Sequence, residues 1–350
     1  MKTYYFNILM DPNDKLNLIV DGLEEVIGES ELINIIKERD LKVYWGTATT
    51  GKPHIGYLKP LLKICQLLKA ECEVTILFAD LHAYLDAMKS EWNELKYRTI
   101  YYEEVIKKAL EILGAPIEKL KFVKGSDYQL SPEYTLNMYT LMSKMTLHDA
   151  IKSGAEVVKQ SKDPKMASLL YPGLQALDEQ FLEVDAQFGG VDQRKIFMLA
   201  DKYLPKLGYK KRIHLMNPMI KSFGNCQDGK MSSSEDNKID LLDKPKQIKK
   251  KIAKAYCEEG NSDCGLLEFV EKVLFPINEF REIQFLEINR KEEFGGDCNY
   301  FNYEDLKNDF DSKLLHPGDL KKSITQWLVD LLEPVREHFN NDYLENITKS

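Results

Sequence analysis

No stretch of this 350-residue chain approaches the ~20 consecutive apolar residues that a membrane-spanning helix needs. The opening Met1-Lys2-Thr3-Tyr4-Tyr5-Phe6 is soon followed by Asp11, Asp14 and Lys15, so the apolar core of a secretory signal is missing and a soluble, cytosolic protein is expected. Cysteine is scarce. Cys65, Cys72, Cys226, Cys257, Cys264 and Cys298 match no tight zinc spacing, and a chain this long needs no disulfide staples; structural thiols and no protein-held metal are expected. Positive charge is in deficit: 48 Lys and Arg against 56 Asp and Glu leave −8, which argues against nonspecific DNA binding but leaves room for a local basic face toward one RNA. The Gly-Lys-Ser/Thr ending of a Walker loop and the GxGxxG of a dinucleotide fold are both absent, as are internal repeats.

What is present is a chain with 43% hydrophobic residues, enough for a sizeable core divided into two domains. Residues 1–40 read as an N-terminal helical preface, with Leu32, Ile33, Ile35 and Ile36 forming an apolar stripe that Arg39-Asp40 ends. From Leu41 short apolar runs alternate with longer helical stretches. That pattern predicts an α/β catalytic domain over 41–235, a Rossmann-like parallel sheet with helices on both faces. The expected strands are Leu41–Trp45, Val74–Ala79, Leu120–Val123 and Leu182–Ala186. Their trailing turns, Gly46–Gly51, Asp80–His82, Gly125–Gln129 and Gln187–Gln193, should converge on one crevice at the strands' carboxyl ends. Connecting helices are expected at about 129–180, opened by the N-cap pair Ser131-Pro132, and a mainly helical domain over 236–350.

Two short strings carry chemistry. After the first strand, Gly46-Thr47-Ala48-Thr49-Thr50-Gly51-Lys52-Pro53-His54-Ile55-Gly56 lets backbone amides approach phosphates and sets a histidine at a helix mouth, with Pro53 expected to begin the helix. Far downstream, Lys230-Met231-Ser232-Ser233-Ser234 offers a lysine on a serine-rich loop, suited to neutralising a departing pyrophosphate. Taken singly, the first reads equally as a tight strand-to-helix turn and the second as a solvated linker; paired, they read as an ATP-activating site. Tyr171, Gln175 and Asp178 share one face of a helix expected to start near Pro172, where they suit an amino acid with a phenol, or form the wet side of an amphipathic helix.

On these residues the chain resembles the class I aminoacyl-tRNA synthetases, with His54-Ile55-Gly56-Tyr57 in the place of HIGH and Lys230 to Ser234 in that of KMSKS. Tyr44 to His54, Phe78-Ala79-Asp80-Leu81-His82-Ala83-Tyr84, Tyr171 to Asp178 and His316-Pro317-Gly318-Asp319-Leu320-Lys321 resemble the tyrosine-specific branch of archaea and eukaryotes. The resemblance implies activation of L-tyrosine by ATP and transfer to tRNA-Tyr, with His54 and Lys230 catalytic. It implies that Tyr44 and Asp178 bind the phenol, that Tyr171, Gln175 and Gln193 hold the ammonium end, and that Tyr128 and Gln129 line the wall. ATP would meet Gly46, Thr47, His54, Gly56, Gly190, Asp192 and Lys230, Met231, Ser232, Ser233, Ser234, with Mg²⁺ arriving on the nucleotide. A homodimer, no membrane or DNA partner, and an anticodon-binding domain using Phe294 and Asp319 are also implied; the competing reading makes Phe294 core and Asp319 a helix cap.

Tyr57 replaces the second histidine of the first signature and Ser233 the second lysine of the other. Stabilisation of pyrophosphate then falls on Lys230 and Mg²⁺, with a bound monovalent cation as a further candidate. The rival readings are a tryptophan-specific relative, a nucleotidyltransferase with an HxGH string, and a noncatalytic RNA-binding relative.

Overall fold

The structure, a computed structural model, describes residues 10–86, 92–157, 165–224 and 238–340. Its centre is a six-stranded sheet made of β1 (Glu25–Ile27), β2 (Lys42–Thr47), β3 (Glu73–Phe78), β4 (Leu120–Lys124), β5 (Ala186–Gly190) and β6 (Ile213–Asn217). The spatial order is β1-β6-β5-β2-β3-β4, with every pairing parallel except β1 against β6. β2 and β3 run on to one side and β5 and β6 to the other. The order therefore reverses between β2 and β5, and a crevice opens at that point beyond the strands' carboxyl ends. Helices cover both faces, as expected of a Rossmann-like core.

Three expectations need correction. The fourth strand starts at Ala186 rather than Leu182, because the helix Met166–Phe181 runs up to the turn at Glu183, whose φ is 53°. Leu182 and Val184 pack with Tyr44, Leu77 and Ala79, so that apolar run closes the helix exit onto the sheet instead of extending it. That helix starts at Met166, not near Pro172; the proline sits inside it and forfeits one backbone bond, while burial of Tyr171 through Glu179 holds the turns on either side. Residues 1–40 are not helical throughout, since β1 forms the sheet's edge between the helices Pro12–Val20 and Glu29–Glu38. β6 was not anticipated either.

A buried lysine locks the first helix in place. Lys63, on the helix Leu58–Lys69, donates to the carbonyls of Leu18 (3.1 Å), Ile19 (3.3 Å) and Asp21 (2.5 Å), the carbonyl-rich end of Pro12–Val20. Burial pulls its amine down to about 7. Farther on, Ser131 caps Pro132–Lys144 by accepting from the Tyr134 amide at 3.2 Å. After residue 238 come the helices Pro245–Lys254, Gly265–Phe269, Phe275–Phe280, Tyr303–Asp311 and Pro317–His338, and a hairpin of β7 (Leu286–Ile288) and β8 (Cys298–Tyr300). The apolar core runs unbroken from the sheet into these helices, and His338 meets Glu104 at 2.9 Å. Among the described residues no helix is long and apolar enough to cross a membrane.

Candidate active site

A cavity of about 530 Å³ lies over the β2/β5 reversal. Tyr44, Gly46, Thr47, His54, Gly56, Tyr171, Gln175, Asp178, Gly190, Asp192 and Gln193 all line it, so residues up to 149 positions apart in the chain share one space. β2 delivers Tyr44 to Thr47, β5 and its trailing turn deliver Gly190 to Gln193, and the helix Met166–Phe181 crosses behind with Tyr171, Gln175 and Asp178 inward. Lys230, Met231, Ser232, Ser233 and Ser234 lie outside the described residues. The chain returns beside His54 immediately afterwards. The Ile55 amide donates to Ile239 at 2.9 Å, the Leu241 amide to Pro53 at 3.0 Å, and Lys238 reaches the Lys52 carbonyl at 3.5 Å.

Pro53 does not begin the helix; a 3-10 turn, Ile55–Tyr57, comes first, with His54 as its cap. His54 Nδ1 accepts the Gly56 amide at 3.1 Å, which leaves the ring proton on Nε2. Burial first, and the nearby Lys238 charge second, lower His54 to about 4. It is therefore a neutral donor at physiological pH. Tyr57, in the position of the missing histidine, stands edge-on to the His54 ring at 5.3 Å and shares a hydrogen bond with Thr47 Oγ1 at 3.1 Å.

At the other end of the cavity Asp178 is fully buried. Its Oδ1 accepts from Tyr128 OH (2.7 Å), Gln129 Nε2 (2.8 Å) and Tyr134 OH (2.9 Å), while Oδ2 has no hydrogen-bond partner among the described residues. Tyr128 and Gln129 thus hold the carboxylate from behind and do not line the cavity. Gly125 permits this, because a Cβ there would collide with the Gln129 side chain. Burial raises Asp178 to about 7 against the three hydrogen bonds that favour its charged form. Tyr44 OH donates to the Gln175 carbonyl at 3.2 Å, and Gln175 Nε2 to Gln193 Oε1 at 2.8 Å, which leaves Gln175 Oε1 as an acceptor. Burial, then the carboxylates Asp86, Asp192 and Asp178, hold the Tyr171 proton more tightly than usual. Such a negative field suits an ammonium group.

Sequence reasoning left several lining residues unassigned, among them His82, Asp86, Arg98 and Asn217 to Ile220, and it missed Tyr134 as the third donor to Asp178. His82 and Asn217 to Ile220 follow strands, which for the last group required recognising β6, whereas Asp86, Arg98 and Tyr134 lie on or after helices and carry no such signal. Phe294 and Asp319 lie elsewhere. Phe294 is 63% exposed at the tip of the β7–β8 hairpin, so it is not core. The cap of Pro317–His338 is His316, whose Nδ1 accepts the Gly318 amide at 3.0 Å, so Asp319 is not the cap. Arg290 donates to Leu314 O at 2.9 Å and Lys322 to Asn289 O at 3.4 Å, which brings the hairpin loop beside that helix's first turn.

Residues 36–333 match the family described as tRNA synthetases class I (W and Y). The chain is 58% identical to the cytoplasmic tyrosine–tRNA ligase of Gallus gallus over 97% of its own length and 63% of that protein's. It is 50% identical to the cytoplasmic tyrosine–tRNA ligase of Saccharomyces cerevisiae over 95% of itself and 86% of that protein. It therefore spans slightly less than two thirds of the vertebrate relatives it matches. Among solved structures, the tyrosyl-tRNA synthetase of Archaeoglobus fulgidus complexed with L-tyrosine superimposes with a TM-score of 0.84 at 36% identity, covering 94% of this chain and all of that one. The corresponding complex from Pyrococcus horikoshii gives 0.89 at 25% identity, over 97% of this chain and all of that one.

Proposed function

This chain belongs to the class I tRNA synthetases for tryptophan and tyrosine, and on that footing we propose that it is a tyrosine–tRNA ligase of the cytoplasm. It activates L-tyrosine with ATP to tyrosyl-adenylate and pyrophosphate. It then passes the tyrosyl group to the 3′ terminal adenosine of tRNA-Tyr, releasing AMP. The observation that carries this reading is the buried Asp178 Oδ2, an acceptor left without a donor at the bottom of the same cavity whose mouth holds His54. A phenol hydroxyl supplies the missing donor.

In the first step the tyrosine carboxylate attacks the α-phosphorus in line and pyrophosphate leaves, with no covalent enzyme intermediate. Tyr44 and Asp178 address the phenol, while Tyr171, Gln175 and Gln193 hold the ammonium and so aim the carboxylate toward His54. Neutral His54 donates from Nε2 to the phosphate oxygens as charge builds on them. Gly46, Thr47 and Gly56 offer backbone approach to the nucleotide, and Gly190 and Asp192 its ribose. Lys230, with Met231 and Ser232 to Ser234, would neutralise the departing pyrophosphate. Mg²⁺ would arrive on the triphosphate, ligated by its oxygens and water.

The division into a preface (1–40), a catalytic domain (41–235) and an anticodon-binding domain (236–350) belongs to this proposal. In the last, Phe294 stacks an anticodon base and Asp319 accepts from a base edge. Leu136, Tyr139, Leu147 and Met166 are each more than 60% exposed on the connecting helices, and so large an apolar face supports a homodimer there.

The test is tyrosine-dependent ATP–pyrophosphate exchange followed by charging of a tRNA-Tyr transcript. Lys230→Ala should lower turnover much more than tyrosine affinity. Exchange driven by tryptophan and not tyrosine would overturn the proposal, and normal adenylate formation by Lys230→Ala would overturn that lysine's role.

A further inference from the structure

Two buried polar groups face each other in the amino-acid end of the cavity, and neither is satisfied by the protein. His82 lies in the first turn of the helix Asp80–Leu85, which leaves the carboxyl end of β3. It is 2% exposed, lines the cavity, and stands edge-on to the Tyr171 ring at 4.7 Å. Among the described residues neither of its ring nitrogens has a hydrogen-bond partner. Opposite it is Asp178 Oδ2, also without a partner, 3.8 Å from His82 Nε2.

That separation is too long for a direct hydrogen bond and suits one atom held by both. An oxygen about 2.8 Å from each group closes a triangle with an angle of about 85° at that oxygen, tighter than the roughly 110° between a hydroxyl's proton and its lone pair, so the two side chains part slightly to hold it. A phenol has one proton to give and lone pairs to fill. Asp178 Oδ2 takes the proton. Tyr44, which also addresses the phenol, has its own proton on the Gln175 carbonyl in the free chain, so His82 is the donor that is left uncommitted.

We propose that His82 is a specificity residue of the amino-acid pocket: the substrate's hydroxyl donates to Asp178 Oδ2 and accepts from His82 Nε2–H. This rests on the tyrosine-activating reading and deepens it. A neutral imidazole is the right partner for such a bridge, since an imidazolium would pair with Asp178 directly and compete for Oδ2. Burial keeps the ring neutral, lowering it to about 3. Phenylalanine would leave both His82 and Asp178 Oδ2 unpaired, so the pair rejects it from two sides.

The experiment measures pyrophosphate exchange with tyrosine and with phenylalanine for the wild type, His82→Leu and His82→Gln. Leucine keeps bulk and removes the donor; glutamine returns an amide N–H close to the place of Nε2. His82→Leu should lower kcat/KM for tyrosine roughly 10- to 100-fold and raise the value for phenylalanine, which no longer leaves that donor unpaired, and His82→Gln should recover most of the tyrosine preference. Equal losses on both substrates would reduce His82 to a packing residue and overturn the proposal.

A second measurement needs only the unaltered protein. 4-Aminophenylalanine still donates to Asp178, but its aniline nitrogen is a poor acceptor, so it should bind at least about tenfold more weakly than tyrosine. Equal affinities would overturn the assignment even if His82→Leu failed to fold. Absence of tyrosine-dependent exchange in the wild type would instead sink the underlying reading.

Discussion

Replacing Asp178 by Asn should make the protein more stable and less active, and both effects follow from one buried carboxylate. Asp178 has no exposed surface, and burial raises it to about 7 from the ordinary 3.8. Below about pH 4 the group is protonated whether the chain is folded or not, so the difference contributes nothing. As pH rises toward 7 the unfolded chain releases the proton first, and stability falls with pH until the folded carboxyl also ionises. At 1.36 kcal/mol per pH unit, the gap between 3.8 and about 7 amounts to about 4 kcal/mol of destabilisation above neutrality. Asparagine removes that term. Its carbonyl can keep the donors now on Oδ1, but its N–H groups point where no acceptor is within reach, at a cost of about 1–3 kcal/mol. The net gain is about 1–3 kcal/mol. With an unfolding entropy of about 2.1 cal/mol/K per residue over 350 residues, Tm should rise by about 1–4 °C at pH 8 and fall by about 1–4 °C near pH 4, where only the cost of the amide remains. Losing the charged acceptor should lower kcat/KM for tyrosine roughly 10- to 150-fold. Calorimetric melts from pH 4 to 8.5, paired with pyrophosphate exchange, test both halves. A lower Tm at every pH, or a Tm difference that ignores pH, would refute the reasoning.

His54→Ala should cut kcat for exchange by about 10²–10³ while tyrosine affinity by titration stays within about twofold, because Nε2 addresses phosphate and not the amino acid; a matching loss of tyrosine binding would count against this. Glutamates at both Leu136 and Tyr139, one helical turn apart and more than 60% exposed, should convert a dimer to monomers in sedimentation experiments without lowering Tm by more than about 2 °C, and an unchanged sedimentation coefficient would remove the interface from that face. Asp319→Ala should keep pyrophosphate exchange and lose tRNA charging, whereas equal loss of both would mean misfolding.

The parallel core was legible because its strands are short apolar runs ending in glycine or polar turns, and β2, β3 and β4 fall within two residues of where that pattern puts them. β1 and β6 were not, for a physical reason. β1 has three residues, all half-buried, at a sheet edge, so it shows neither alternation nor a continuous apolar run. β6 is buried at every position, but its apolar residues Ile213, Leu215 and Met216 are interrupted by His214, which pairs with Glu179, and closed by Asn217, so the run is short and mixed. Residues of the cavity were legible where they belong to a spaced set, as with Tyr171, Gln175 and Asp178 on one helical face. His82 and Tyr134 belong to no such set; their relation to Asp178 exists only once β3 and the helix Pro132–Lys144 are packed against Met166–Phe181.

Several of the unsatisfied buried atoms among the described residues belong to the cavity wall: Asp178 Oδ2, both nitrogens of His82, Gln187 Oε1 and both amide atoms of Asn217. Each costs about 1–3 kcal/mol if nothing pairs with it. A fold selected for stability alone would replace them with apolar groups, and the Asp178→Asn prediction measures one such exchange. They lie on the helix Asp80–Leu85 that follows β3, within β5, at the carboxyl end of β6 and on the helix that crosses behind, so the wall is assembled from four separate elements. A ligand that pairs with these atoms recovers the cost of desolvating them, and one lacking a matching group does not. The same unsatisfied groups that lower the free chain's stability are therefore what lets the cavity choose its substrate.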